Sequence, residues 1–517
     1  MMQNKKIAKF ICLTTLIIII IKLSTSNSLA ASKDLFSQPQ ILRSKIVTPQ
    51  TKYPRGITVS SKYRVMIKAV TDQRPWNAVS NSTATYQLSP DYLDPETVPE
   101  DHRNATVHFG QFDTNIKVRV RVELLKGKID TLRILPKRHS EIDQTAKHGK
   151  NWLEFEVAPS DLAKHLLVEI NAPQKTGEVL QDGLMIFVNP ISQLPSGKVL
   201  KLPSGVLDRN HPAMDKLNRI LIDKDSPYDA LYIPADTIVN GRIEIKKDHF
   251  IITGRGMILG SRWTWAKAKP DWSQNYPNEI SPNGKIIKGL INSTAEDVTY
   301  EGITSIHPYH FNFVGANNNL NLKAFAWRMS SDGIHGEIIK GCFTRVNDDA
   351  NYFAHGVIAR NTYWGMQNGA IFQLGWGQAS ISKGGGTRIS QCDVVRGEWR
   401  GDGGKNQNNG IFVAVMSSGK GDLTDIKFDD IKIYGNIFRP IAIHTANLDG
   451  NLTNFEFKNI WFEKRPYYPK KSLNYLECGG MIKDFKFINF FFGNQKVTSL
   501  DDLQPVSTKN LDPLVFE

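Results

Sequence analysis

A short β-rich unit recurs through the second half of the 517-residue chain, and nothing else in the sequence narrows the possible folds as much. Each unit runs apolar, polar, apolar, then Asn, Asp or Gly, then apolar again. Examples are Val298-Thr-Tyr-Glu-Gly302-Ile, Ile338-Ile-Lys-Gly341-Cys-Phe, Ile358-Ala-Arg-Asn361-Thr-Tyr, Ile426-Lys-Phe-Asp-Asp430-Ile, Phe455-Glu-Phe-Lys-Asn459-Ile and Phe485-Lys-Phe-Ile-Asn489-Phe. Counted on the pivot residue, the steps are 39 residues from 302 to 341, 20 from 341 to 361, 29 from 430 to 459 and 30 from 459 to 489. So short a unit cannot bury its own apolar face, and stacking on its neighbours is what makes a core. No apolar stripe of period 3.6 persists for two turns, which argues against helical repeats. The regular Leu of leucine-rich repeats and the fixed signature of propeller blades are also absent. The pattern therefore predicts a right-handed parallel β-helix. Its pivots should sit at corners that need left-handed backbone angles, and residues such as Phe343, Ile358 and Phe428 should stack inside it.

Upstream, from about Arg55 to Pro190, the grammar changes to period two. Lys117-Val-Arg-Val-Arg-Val122, Leu153-Glu-Phe-Glu-Val157 and Leu184-Met-Ile-Phe-Val188 read as strands separated by turns, which predicts an antiparallel β-sandwich. Pro, Ser and Gly cluster from Asn189 to Gly205 and mark the boundary. At the start, Lys5, Lys6 and Lys9 precede an apolar run from Phe10 to Ile21, and Ser28-Leu29-Ala30 offers small residues at the positions a signal peptidase reads. The expected organisation is a signal peptide over 1–30, a sandwich over 31–200 that caps the open end of the solenoid, and an all-β catalytic β-helix over 201–517. The chain is expected to act outside the cell, in the extracellular medium or a periplasm, with no membrane association once the signal is removed.

The whole sequence carries a formal charge of +13, and loss of the four lysines in the first thirty residues leaves +9. These charges are interspersed and no basic block is interleaved with aromatics, which argues against nucleic acid as a partner. Cys342, Cys392 and Cys478 are an odd number without metal-type spacing, so no metal or other cofactor is expected. The chain is expected to work as a monomer.

One acidic cluster stands apart from the scattered surface charges. Ser331-Asp332-Gly-Ile-His335 precedes Val346-Asn347-Asp348-Asp349-Ala350, which precedes Trp364-Gly-Met-Gln367-Asn368. Neighbouring coils of a parallel β-helix lie about 4.8 Å apart, so this spacing would stack Asp332, Asp348 and Asn368 in one ladder. Carboxylates held that close cannot all ionise cheaply, and a protonated acid beside ionised ones is what glycoside hydrolysis requires. An Asn-Asp-Asp turn alone equally describes a solvated loop or a weak Ca²⁺ site; Asp332, one coil earlier, favours catalysis. Aromatic rings pack on sugar C–H faces and amides bond hydroxyls. Tyr352, Trp364 and Trp376, with Asn347, Gln367, Asn368 and Gln373, are accordingly the expected substrate-binding residues. His335 reads as a structural histidine.

At these residues the chain resembles glycoside hydrolase family 49, the dextranase and isopullulanase family. The matching stretch runs from Val346-Asn-Asp-Asp-Ala350 through Gly356-Val-Ile-Ala-Arg-Asn361, Trp364, Asn368-Gly and Phe372-Gln-Leu-Gly-Trp376, with Asp332 upstream. The likeness extends to the layout of sandwich before β-helix, over about residues 50–490, and the polygalacturonase-like family 28 is related by its own three aspartates. The resemblance implies an inverting, endo-acting α-glucan hydrolase in which Asp348 is the general acid and Asp332 and Asp349 activate water. The step from Asp332 to Asp348 is shorter than the family suggests, and the segments at Gly384-Gly-Gly and Asp402-Gly-Gly are the chain's own. A pectin-directed hydrolase and a non-catalytic glycan-binding solenoid are the alternatives. The basic charge suits an acidic polymer, but the Gly-His-Gly and Arg-Ile-Lys elements used by family 28 are missing.

Overall fold

A computed structural model describes residues 38–48, 52–78, 81–90, 95–173, 177–260, 289–328, 331–353, 356–374, 386–399, 409–415, 419–420, 422–435, 437, 439–445, 448–466 and 474–517. The proposed signal segment and Trp376 lie outside these residues. Among those described, no helix is long and apolar enough to cross a membrane.

The chain is all-β, a β-sandwich followed by a parallel β-helix. One sandwich sheet is ordered Ile57–Val59, Thr85–Leu88, Val107–Thr114, Gly183–Asn189, Lys164–Ile170 and Leu132–Leu135, with Ile41–Arg43 pairing onto Val107–Thr114. The other holds Ser82–Thr83, Tyr63–Ala69, Val118–Leu124, Trp152–Val157 and Lys147–His148. Val118–Leu124 shows the expected alternation, with its valines buried against Val65, Phe155 and Leu166 and its arginines half-exposed. Two features depart from a simple antiparallel sandwich. Val107–Thr114 and Gly183–Asn189 pair in parallel, and both strands are buried on both faces. The unbroken apolar run Leu184–Val188 is the mark of such a doubly covered strand.

The β-helix begins with Val199–Lys201, and register pairs carry one interior ladder up the stack: Ile252, Tyr300, Asn319, Ile339, Ile358, Ile389, Phe428, Phe457 and Phe487. Phe428, Phe457 and Phe487 stack with centroids 5.1 and 5.0 Å apart. At the next corner Gly302, Asn321, Gly341, Arg360, Gln391, Asp430, Asn459 and Asn489 all adopt positive φ, between 52° and 76°. The pivots are therefore the corners, with one shift of a residue: Arg360 turns, and Asn361 lies buried, its Oδ1 accepting from Cys342 N at 2.8 Å and its Nδ2 donating to Ile339 O at 3.1 Å. Cys342, Cys392 and Cys478 are buried free thiols.

Among the described residues, the sandwich packs along the solenoid's flank and not over its end as expected. Its doubly buried sheet lies along the flank, with Phe109, Leu167, Met185 and Phe187 packed on Ile238, Met257, Leu259, Ile306, Phe325, Phe343 and Trp364 from successive coils. Phe343 thus faces the sandwich rather than the helix interior, and Ile358 and Phe428 do face inward. Buried polar ties stitch the seam: Arg255 Nε to Asp113 Oδ1 at 2.9 Å, Lys323 Nζ to Asn189 Oδ1 at 2.9 Å, and Arg138 Nε to Asp393 Oδ2 at 3.0 Å.

Burial makes the fold sensitive to acid. It pushes the pKa of His307, near Arg345, and of His335, near Asp349, down to about 4, and that of His165, near Lys323 and His139, well below the usual value. Between about pH 6.5 and 4 the unfolded chain therefore binds more protons at these sites, and stability falls as pH falls through that window. Asp393 works the other way, since burial lifts it to about 6 against the pull of Arg138, and it offsets one of the three. Urea midpoints at pH 7 and pH 4.5 should differ, with the acidic one lower; equal midpoints would contradict this account.

Candidate active site

The acidic turn joins two strands, Phe343–Val346 against the sandwich and Asn351–Phe353 on the neighbouring face. Two glycines let the coils close around it. A Cβ at Gly333 would overlap Ala350 O from the coil before, and one at Gly369 would overlap the Asp348 backbone from the coil after. Trp399, buried and carried by the following coil, donates Nε1–H to Gly369 O at 3.0 Å and holds that second coil in place. Gly369→Ala should therefore displace the turn and lower turnover roughly tenfold, because small misplacements of reacting groups are costly. Steady-state kinetics would show this, and unchanged kcat would exclude a role for the close approach.

The parallel bridges from Ile334 to Asn351 and from Asn351 to Phe372 fix the register. Asp332 consequently stacks on Asp349, one residue later than the expected Asp348, and Gly369 rather than Asn368 follows Asp348. The steps are 17 and 21 residues, because the turn takes up one residue more than equal phasing allows. Asp349 is buried and its Oδ1 accepts from Ala370 N at 2.9 Å. Asp332 is buried too, and its Oδ2 accepts from the Tyr352 hydroxyl at 3.1 Å. Asp348 is half-buried, with Oδ1 accepting from Asp349 N at 3.1 Å. All three carboxylates act on Tyr352. Burial first, then the charges of Asp349, Asp332 and Asp348, drive its phenol far above the ordinary range. The turn thus brings the three aspartates to one place.

Gln367 and Asn368 lie half-buried in the turn directly above, where Asn368 N donates to Asn347 Oδ1 at 3.3 Å. Three expected substrate contacts need correction. Asn347 is fully buried and ties one coil to the next. Trp364 is buried in the seam, because its strand faces the sandwich, and it sandwiches the Arg345 guanidinium with Trp327 at 4.7 and 4.6 Å. Gln373 is fully buried one rung above Tyr352.

Two features escaped the sequence reading. His335 packs on Tyr352 with centroids 4.8 Å apart and sets Nε2 3.5 Å from Asp332 Oδ2. Phe311, half-buried, lies 5.4 Å from His335. The Asp-Gly-Ile-His spacing was visible, but only the one-residue register shift places that histidine under Tyr352. Among the described residues no group of three or more His, Cys, Asp or Glu is set to hold a metal ion.

No protein-family model matches the chain, and no curated protein matches its sequence. Solved structures do. Dex49A from Penicillium minioluteum superposes with a TM-score of 0.70 over 93% of this chain and 99% of its own, at 16% identity. The two proteins share a fold. The layout implied by the resemblance to family 49, sandwich and β-helix together, is present. A Family 28 exopolygalacturonase of Yersinia enterocolitica covers 77% of this chain and 95% of its own at 10% identity, with a TM-score of 0.31. The catalytic domain of a GH87 α-1,3-glucanase covers 89% and 99% at 10% identity, with a TM-score of 0.26. Neither of those two scores establishes a shared fold.

Proposed function

We propose that this chain is a polysaccharide hydrolase of dextranase type, cleaving α-glucan chains internally with inversion at the anomeric carbon. The convergence of Asp332, Asp348 and Asp349 on Tyr352 carries the reading, and the fold shared with Dex49A and the resemblance to family 49 support it. Asp348 is the general acid. It is the most exposed of the three, where a departing sugar oxygen can reach it, and it stands where the resemblance to family 49 implies the acid. Asp332 and Asp349, stacked rung on rung, take the proton from the attacking water. Glycoside hydrolysis of this kind draws on carboxyl groups alone, and no cofactor takes part. Gln367 and Asn368 bond sugar hydroxyls beside the turn.

The export segment over residues 1–30 would deliver a sandwich over 31–200 and a catalytic β-helix over 201–517 to the cell exterior, where a monomer meets its polymer. Incubating the purified chain with dextran, other neutral α-glucans and polygalacturonate, and counting new reducing ends, tests the reading. Release from dextran is expected. Release from polygalacturonate alone would replace it with a pectin-directed enzyme, and binding without release would leave a glycan-binding solenoid.

A further inference from the structure

The solenoid face that the sandwich covers is longer than the sandwich. One outward ladder on that face runs Phe343, Thr362, Asp393, Lys432, Trp461 and Phe491, one residue per coil. The first three are buried, with Phe343 against Phe187 and Asp393 against Arg138 of the sandwich; the last three are half-buried. The cover thins past Asp393 and leaves two aromatic side chains partly open on consecutive rungs.

Their surroundings are polar and well fixed. Trp461 is set edge-on against Tyr434, with centroids 5.8 Å apart and planes at 73°, so its ring has one direction. Two residues along the same strand, Glu463 pairs with Arg133 of the sandwich, and its Oε2 accepts from Gly435 N at 2.8 Å. Arg133 is 31% exposed and Glu463 27%, so both still reach solvent. Beside them a cleft of about 460 Å³ opens between sandwich and solenoid, lined by Arg133, Glu169, Arg396, Tyr434 and Lys464. Clefts of that size commonly take small ligands or single segments of larger ones.

Area decides what fits there. An aromatic ring buries roughly 150–250 Å² when fully covered, and two half-covered rings offer less than twice that. A stable protein complex needs roughly 800 Å² from each partner, so a second copy of the chain is a poor occupant. A sugar strand is a good one, because its C–H faces pack on rings while its hydroxyls take donors and acceptors at their edge. Arg133 already faces Glu463 and Glu169, and therefore offers N–H edges to hydroxyls rather than an unmatched charge to an acidic polymer. We propose that Trp461 and Phe491, with the Arg133–Glu463 pair beside them, form an accessory site that holds a neutral glycan strand. Trp461 stands four coils beyond the Phe343 coil that carries the acidic turn, roughly 19 Å along the axis, so the two sites cannot share one glycosidic bond. The proposal takes the polymer's identity from the hydrolase reading and goes beyond it. A strand held at a second point meets the acidic turn at a raised local concentration.

Electrophoresis through gels containing dextran reads this site directly, with Asp348→Asn as the non-cleaving background. That chain should be retarded, and adding Trp461→Ala and Phe491→Ala together should remove most of the retardation. In the otherwise wild-type chain, the same pair should raise the ratio of KM on dextran to KM on a three-sugar dextran fragment at least about tenfold, since only the polymer spans both sites. Trp461→Ala also strips a contact from Tyr434, so two milder variants separate binding from folding. Trp461→Phe keeps a ring and should be retarded nearly as the background is, whereas Phe491→Ala leaves the Trp461–Tyr434 contact in place and should still weaken retardation. Unchanged retardation in the double variant, an equal rise of KM on polymer and fragment, or retardation by polygalacturonate in place of dextran would each overturn the proposal. A wild-type chain that cleaves no glycan, yet is retarded through these two rings, would overturn the hydrolase reading and leave the accessory site standing.

Discussion

Asp348→Asn is expected to lower kcat on its polymer by at least about 10²-fold, the lower end of what general acid catalysis contributes. Its stability to urea should stay close to that of wild type, because Asn is isosteric with Asp. The reason lies in how the side chain is held. Asp348 is half-buried and its Oδ1 accepts from Asp349 N, a contact that the isosteric amide oxygen of Asn also makes while the transferable carboxyl proton is lost. Asn cannot donate that proton to a departing oxygen. An aryl glycoside with a good leaving group needs little protonation and should suffer far less. Equal losses on both substrates, or full activity, would remove Asp348 from the acid role.

Glu398→Ala should be the most destabilising single change, by about 3–5 kcal/mol, because it strands charges in the seam. Glu398 is fully buried. Burial alone would raise its pKa, yet the His102 hydrogen bond and the charges of Arg345 and Arg396 hold it down to about 2. It accepts from His102 Nε2 at 2.9 Å and from Leu180 N at 2.8 Å, and Arg345 NH2 stands 3.6 Å away. His102 and Leu180 belong to the sandwich, and Arg345 stands two residues before the acidic turn, so this one carboxylate fastens the two parts of the molecule behind the site. The urea midpoint and the rate of proteolysis in the 189–205 segment should report the loss together. A change under about 1 kcal/mol would mean that Glu398 is not what fastens the seam.

The same seam explains what the sequence could and could not reveal. Repeat spacing exposed the β-helix because corner chemistry is local: Gly302, Gly341, Asp430, Asn459 and Asn489 announce positive φ by residue type. Arg360 does not, so the corner was placed one residue late, on Asn361. Trp364 and Phe343 were misread for a different reason. A strand's outward face looks alike whether it meets solvent, substrate or another sheet, and only the docked sandwich distinguishes them. Asn347 and Gln373 were taken for sugar ligands by residue type, whereas parallel coils also use buried amides to join rung to rung. The acidic cluster itself was legible, since Asp332 and the Asp348-Asp349 pair lie about a coil apart. Which carboxyl stacks on which was not, because a single residue in the turn moves the register.

Proton NMR of the first products from dextran bears most directly on the central claim, that three aspartates on adjacent coils act together on one glycosidic bond. The account predicts new reducing ends that appear first as the β-anomer and equilibrate afterwards, with no signal from a chain carrying Asp332→Asn, Asp348→Asn and Asp349→Asn together. Products that appear first as the α-anomer, or cleavage that survives the triple substitution, would contradict it.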